Sequence, residues 1–86
     1  MNKRKLLTKI QNNNKNVLYN DFATIIKSYG FSRTRSEGSH EIYRHKNVAD
    51  IVNIQNDNGQ AKPYQVKQFL FLIEKYDLKL EDDNNV

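Results

Sequence analysis

The sequence predicts a small α+β domain, with a three-stranded antiparallel sheet covered by amphipathic helices and one extra helix at the N-terminus. Three observations predict it. Phe22, Ile25, Ile26 and Tyr29 recur at helical spacing. From Phe31 to Gln55 the pattern changes to alternation with β-branched residues. Helical spacing then returns after Pro63 in Val66, Phe69, Leu70 and Ile73.

Each element has a local reason. Leu6, Leu7 and Ile10 give a short first helix, which the run Asn12-Asn13-Asn14-Lys15-Asn16 ends, because asparagine side chains compete for backbone groups. The second helix is expected to be N-capped by Asn20, with Asp21 suiting its positive end. Gly30 supplies the left-handed stop, and Phe31 can pack back on the last turn. Two alternating runs, Phe31–Arg35 and Ser39–Arg44, flank a turn at Ser36-Glu37-Gly38. The third strand is Asp50–Gln55, ended by Asn56-Asp57-Asn58-Gly59. Pro63 opens the last helix at the position where its fixed φ fits, and Tyr76-Asp77 closes it. Residues 1–78 are expected to form a single domain, with the first helix at about 3–12 and the core over 18–78. Residues 79–86 are expected to be a mobile polar tail. The α-β-β-β-α portion, residues 20–76, has the topology of double-stranded RNA-binding domains.

Composition narrows the function. There is no cysteine among the 86 residues and there are only two histidines. A disulfide framework, a thiolate metal site and a structural zinc site are therefore not expected. The longest apolar run, Phe69–Ile73, is too short for a membrane span. Lys3-Arg4-Lys5 is followed by only two leucines, so no secretory signal is expected and a cytoplasmic location is. The formal net charge is +4. Residues 1–20 hold five basic and no acidic side chains. Such a balance favours a polyanionic partner.

Most catalytic arrangements are missing: no glycine-rich phosphate loop, no serine elbow, no thiol nucleophile. What remains is Gly38-Ser39-His40, beside a turn and flanked by arginines. Histidine exchanges its proton near neutral pH and suits RNA cleavage, in which the 2′-hydroxyl is the nucleophile and no cofactor or metal is required. Gly38 leaves room for an RNA backbone, and Ser39 can donate to phosphate. Arg33, Arg35, Arg44 and Lys62 are candidate phosphate contacts, Arg33 and Arg35 being expected to share a face. Tyr64 has two readings, stacking on a base or packing on the sheet. The competing reading of His40 is an ordinary strand residue, and His45 is expected in a loop. By parity, His40, Ile42 and Arg44 share one face and Ser39, Glu41 and Tyr43 the other. If Ile42 faces the core, His40 does too, emerging near the start of the last helix, where Lys62 and free N–H groups could hold phosphate.

Gly38-Ser39-His40-Glu41-Ile42-Tyr43 resembles the Gly-Ser-His-His-Ile-Phe hallmark of HicA (YcfA-like) toxins. Ser28-Tyr29-Gly30-Phe31, Val52-Asn53-Ile54, Gly59 and Lys62–Phe69 resemble further segments of that family in the right order, and the likeness covers nearly the whole chain. The resemblance implies a double-stranded-RNA-binding-like fold and an endoribonuclease that cleaves messenger RNA. It also implies a catalytic histidine at His40 and a HicB-type antitoxin that binds over the site in a hetero-oligomer. Two departures stand out. Glu41 replaces the second histidine of the hallmark, and Asn56-Asp57-Asn58 occupies a stretch where many members carry another. Two rival readings keep the fold without the chemistry: an RNA-binding module and a protein-interaction module.

Overall fold

A computed structural model describes residues 2–81. Seven elements follow one another: α1 (Lys3–Asn12), α2 (Tyr19–Ser28), β1 (Ser32–Glu37), β2 (His40–His45), β3 (Val48–Asp57), β4 (Gln60–Ala61) and α3 (Pro63–Lys75). The strands form one antiparallel sheet in the order β1-β2-β3-β4. The fold is thus the expected α+β arrangement, with one strand more than the three that the sequence pattern predicts.

The fourth strand comes from the turn itself. Asn58 and Gly59 both have positive φ, 53° and 87°. Two positive-φ residues in a two-residue loop give the type I′ hairpin, whose twist matches that of the flanking strands. The chain therefore returns along β3, pairing Asp57 with Gln60 and Asn56 with Ala61. The Asn56 side chain accepts the Gly59 N–H at 2.7 Å and holds the turn closed.

This hairpin also replaces the expected cap of α2. The helix begins at Tyr19, one residue before Asn20, and no side chain caps it. The Tyr19 N–H instead donates to the Gly59 carbonyl at 2.9 Å, and the Ala61 N–H donates to Val17 at 2.8 Å. A helix-end donor is satisfied as long as some acceptor reaches it, and here a neighbouring turn does.

The core lies between the helices and one face of the sheet. Phe69 of α3 is at its centre, meeting the rings of Phe22, Tyr29 and Phe31 edge-on at 5.8, 5.7 and 5.5 Å between centroids. Val52 and Ile54 reach it from β3, Tyr43 from β2 and Ile10 from α1. Gln65 is buried but satisfied, its side-chain oxygen accepting the Gln55 N–H at 2.8 Å. Of the expected tail, residues 79–81 are described: Leu80 packs partly against the core, and the Glu81 N–H donates to Ser28 at 2.8 Å. Residues 82–86 lie outside the described residues.

Gly30 ends α2 with φ +93°, and a β-carbon there would stand 3.1 Å from the His45 ring nitrogen and closer still to the Glu81 carboxylate. Both the left-handed backbone and the contact penalise a side chain. Gly30→Ala is expected to lower stability by about 2 kcal/mol, read as a reduced urea midpoint with an unchanged slope. An unmoved midpoint would contradict this account of the α2 stop.

Candidate active site

The site is built from the β1–β2 turn and the register of β2 on β3. Glu37 pairs with His40, leaving Gly38 and Ser39 as a two-residue turn. Gly38 has φ 59° while Ser39 does not have positive φ, the pattern of a type II′ hairpin. The turn is therefore Gly38-Ser39 rather than Ser36-Glu37-Gly38. It makes His40 the first residue of β2, and Glu37 extends β1.

Register then decides which side chains are covered. Glu41 pairs with Ile54 and Tyr43 with Val52, two core residues of β3. Paired residues share a face, so Glu41 and Tyr43 point toward the helices. His40, Ile42 and Arg44 take the opposite, open face. Ile42 is buried yet lies outside the core cluster, between its partners Arg35 and Asn53. The three-residue parity of His40, Ile42 and Arg44 is as expected, but the face is the other one: His40 does not run under the helices. It is half-buried, with Nδ1 3.1 Å from Asn53 Oδ1.

Arg33 and Arg35 do not share a face. Arg33 pairs with Tyr43 and Arg35 with Ile42, so Thr34 is an extra residue in β1. A β-bulge of this kind reverses the alternation that follows it. Arg33 consequently joins the covered side, where Nη1 meets Glu41 Oε2 at 2.8 Å. Arg35 joins the open face beside Ile42 and is exposed, with Glu37 3.6 Å away. Arg44 is exposed and has no ion-pair partner among the described residues.

The start of α3 lies at the same end of the sheet as His40. The Asn56 N–H donates to the Ser39 carbonyl at 3.1 Å, and Gln55, the partner of His40, is bonded to Gln65 of α3. Lys62 and Tyr64 nevertheless head an element on the covered side. Lys62 is half-buried and 3.6 Å from Asp57. Tyr64 is 56% exposed, so its ring is not buried against the sheet. His45 is not in a loop: it ends β2, half-buried, with its ring edge-on to Phe31 at 5.1 Å. Its Nδ1 accepts the Asn47 N–H. No group of three or more His, Cys, Asp or Glu side chains among the described residues is placed to hold a metal ion.

Glu41 is held by three donors. The Tyr19 and Tyr43 hydroxyls both donate to Oε1, the latter at 3.3 Å, and Arg33 donates to Oε2. The hydrogen bond from Tyr19, reinforced by Arg33, lowers the Glu41 pKa against the opposing effect of partial burial. Burial and the neighbouring carboxylate raise that of Tyr19 well above its ordinary value. Sequence reasoning found neither this cluster nor Asn53. The alternation around Asn53 shows that it faces away from Val52 and Ile54, but only the register puts it diagonal to His40.

The chain is a small basic α+β protein with an open sheet face, and its class, a toxin of a toxin–antitoxin system, comes from the family it matches. A family model described as HicA toxin of bacterial toxin-antitoxin matches residues 19–75, and the chain belongs to that family. Helix α1 lies outside the matched span. Searches among curated proteins and solved structures gave no significant match. Membership implies an antitoxin partner. No described helix is long and apolar enough to cross a membrane.

Glu41 binds its proton more weakly in the folded chain than in the unfolded one. Its contribution to stability is therefore full above the ordinary glutamate range, near pH ~4.3, and is lost as pH falls through the lowered folded value. Glu41→Gln is expected to cost about 1–2 kcal/mol at neutral pH, as charge-assisted hydrogen bonds become neutral ones. Thermal melts across pH should show the gap to wild type closing in acid. A gap that stays constant would mean that the charge is not what Tyr19 and Arg33 recognise.

Proposed function

We propose that this toxin is an endoribonuclease that cleaves messenger RNA with His40 as general base, in the cytoplasm, and that a HicB-type antitoxin neutralises it by binding as a hetero-oligomer. The observation that carries the reading is the position of His40: half-exposed at the start of β2, on the open face, with Arg35 beside the adjacent Ile42. Space around it favours a polymer. A β-carbon added at Gly38 would meet nothing within 4 Å, and Ser39 is exposed.

In the proposed reaction the His40 imidazole takes the proton of a ribose 2′-hydroxyl. The 2′-oxygen then bonds to the adjacent phosphorus, and the bond from phosphorus to the 5′-oxygen breaks. The imidazolium, or a water, returns a proton to the leaving oxygen. The products are a 2′,3′-cyclic phosphate and a 5′-hydroxyl. Negative charge grows on the phosphate oxygens during the attack, and cations stabilise it. Arg35 and Arg44 are the open-face arginines for that purpose, with Gly38 and Ser39 admitting the backbone at the turn. Lys62 and Tyr64 are assigned to flanking RNA at the same end of the sheet. Arg33, engaged with Glu41 and on the covered side, has no such role. A pure duplex-binding module would want a lysine-rich start to α3, and that start offers only Lys62 at the cap and Lys67 one turn in, Lys75 lying at the far end.

Induced expression of the wild type is expected to arrest growth with falling messenger RNA, and His40→Ala to do neither. In vitro the variant should cleave RNA at least about 100-fold more slowly, the usual share of general acid–base catalysis. RNA affinity should fall steeply with salt, because phosphate contacts dominate. Equal toxicity of both proteins would remove His40 from its role. Binding without cleavage would favour an RNA-binding module, and neither would favour an antitoxin-docking scaffold.

A further inference from the structure

We propose that Asn53 is the positioning residue of this site: it fixes the tautomer of His40, so that the ring presents a basic Nε2 to the RNA. The inference rests on the reading of His40 as general base and adds the partner which that reading lacks.

The geometry is specific. Asn53 pairs with Ile42, one step along the ladder from the His40–Gln55 pair, so it is the diagonal neighbour of His40 on the open face. Its chain neighbours Val52 and Ile54 are buried in the core, which commits its side chain to the open side. Asn53 Oδ1 lies 3.1 Å from His40 Nδ1. A carbonyl oxygen of an amide can only accept. With Asn53 Oδ1 turned to the ring, the contact is a hydrogen bond only when Nδ1 carries the proton, and in the neutral ring this leaves Nε2 as the one nitrogen with a lone pair. The hydrogen bond made by one ring nitrogen sets the state of the other.

That constraint matters, because a histidine free in water carries its neutral-state proton mainly on Nε2. In that form the lone pair would sit on Nδ1, turned toward β3 and away from an approaching ribose. Asn53 holds the opposite form. The bond also survives proton uptake, since both ring nitrogens are donors in the imidazolium. The ring is thus oriented the same way before and after it takes the 2′-hydroxyl proton. A neutral amide does this without adding a second negative charge to that of Glu37, the cross-strand partner of His40, which is itself 3.6 Å from Arg35. Gln55 stands directly across from His40, yet no hydrogen bond joins their side chains among the described residues. Asn53 is the acceptor that reaches.

The test pairs a spectroscopic readout with kinetics on the full chain. Nitrogen-15 spectra of the histidine rings, taken where the imidazole is neutral, report which nitrogen carries the proton. Wild type is expected to show His40 protonated on Nδ1. Asn53→Leu, similar in size on an exposed position, should shift it toward the Nε2-protonated form and slow RNA cleavage about tenfold at saturating RNA. Loss of a ring-orienting partner has effects of that order at metal-bound histidines. Asn53→Asp should restore the Nδ1 proton, while its charge raises KM for RNA. Circular dichroism checks that each variant folds.

A wild-type His40 protonated on Nε2, or an Asn53→Leu chain with unchanged tautomer and rate, overturns the role of Asn53 while an inactive His40→Ala leaves the base standing. If His40→Ala cleaves like wild type, the reading of the site itself falls, and Asn53 has nothing to position.

Discussion

Side chains along β2 are divided between a covered and an open face, and Glu41 is the residue that makes the division hard to reverse. Its carboxylate takes hydrogen bonds from Tyr19 of α2, Tyr43 of β2 and Arg33 of β1, tying the sheet to the helix laid over it. A one-residue slip of a strand moves every side chain to the other face. Such a slip here would expose Tyr43, which is 1% exposed, and would break the three-donor set around Glu41. It would also carry His40 under the helices. The open position of the imidazole is therefore maintained by interactions on the side of the sheet that the imidazole does not occupy.

Much of this architecture is written in the sequence, and the unwritten part has identifiable causes. Helical stripes such as Phe22, Ile25, Ile26 and Tyr29 are local patterns, and they appear as read. So does the parity of His40, Ile42 and Arg44. Which face of β2 is covered was not legible, because Ile42 and Tyr43 are adjacent and both apolar. The decision lies with β3, where Val52 and Ile54 point inward. The bulge at Thr34 is a property of a pairing, with no local signature, and it sends Arg33 and Arg35 to opposite faces. The N-terminus of α2 departs from the sequence expectation for a similar reason: the acceptor that satisfies Tyr19 belongs to Gly59, 40 positions along the chain. Strand β4 is different. Asn58-Gly59 is the strongest short hairpin signal there is, and the signal was present in full for a return strand.

The β3–β4 hairpin has a use beyond the sheet. Through Gly59, Gln60 and Ala61 it anchors the segment Val17–Tyr19 at the entrance to α2. Tyr19 is thereby placed at the first residue of the helix, with its hydroxyl on Glu41. One turn thus sets the position of the phenol that, through the carboxylate, fixes the registration of β2. Helix α1, which lies outside the matched family span, adds Ile10 to the core and leaves a face rich in lysine and arginine outward.

The departure from the two-histidine hallmark can now be given a physical reading. Adjacent residues of a strand point to opposite faces, so a residue at position 41 cannot stand beside the His40 ring. Glu41 is spent on Tyr19, Tyr43 and Arg33, and its exchange for histidine subtracts nothing from the open face. A second proton-transfer group for the proposed cleavage must therefore come from the His40 ring itself, from water or from the α3 end of the sheet. This places the chemical demand on a single imidazole. A single imidazole that both takes and returns a proton gains most from being held in one orientation throughout. In the proposed arrangement the Asn53 carbonyl accepts from Nδ1 in either protonation state and supplies that orientation from the same face.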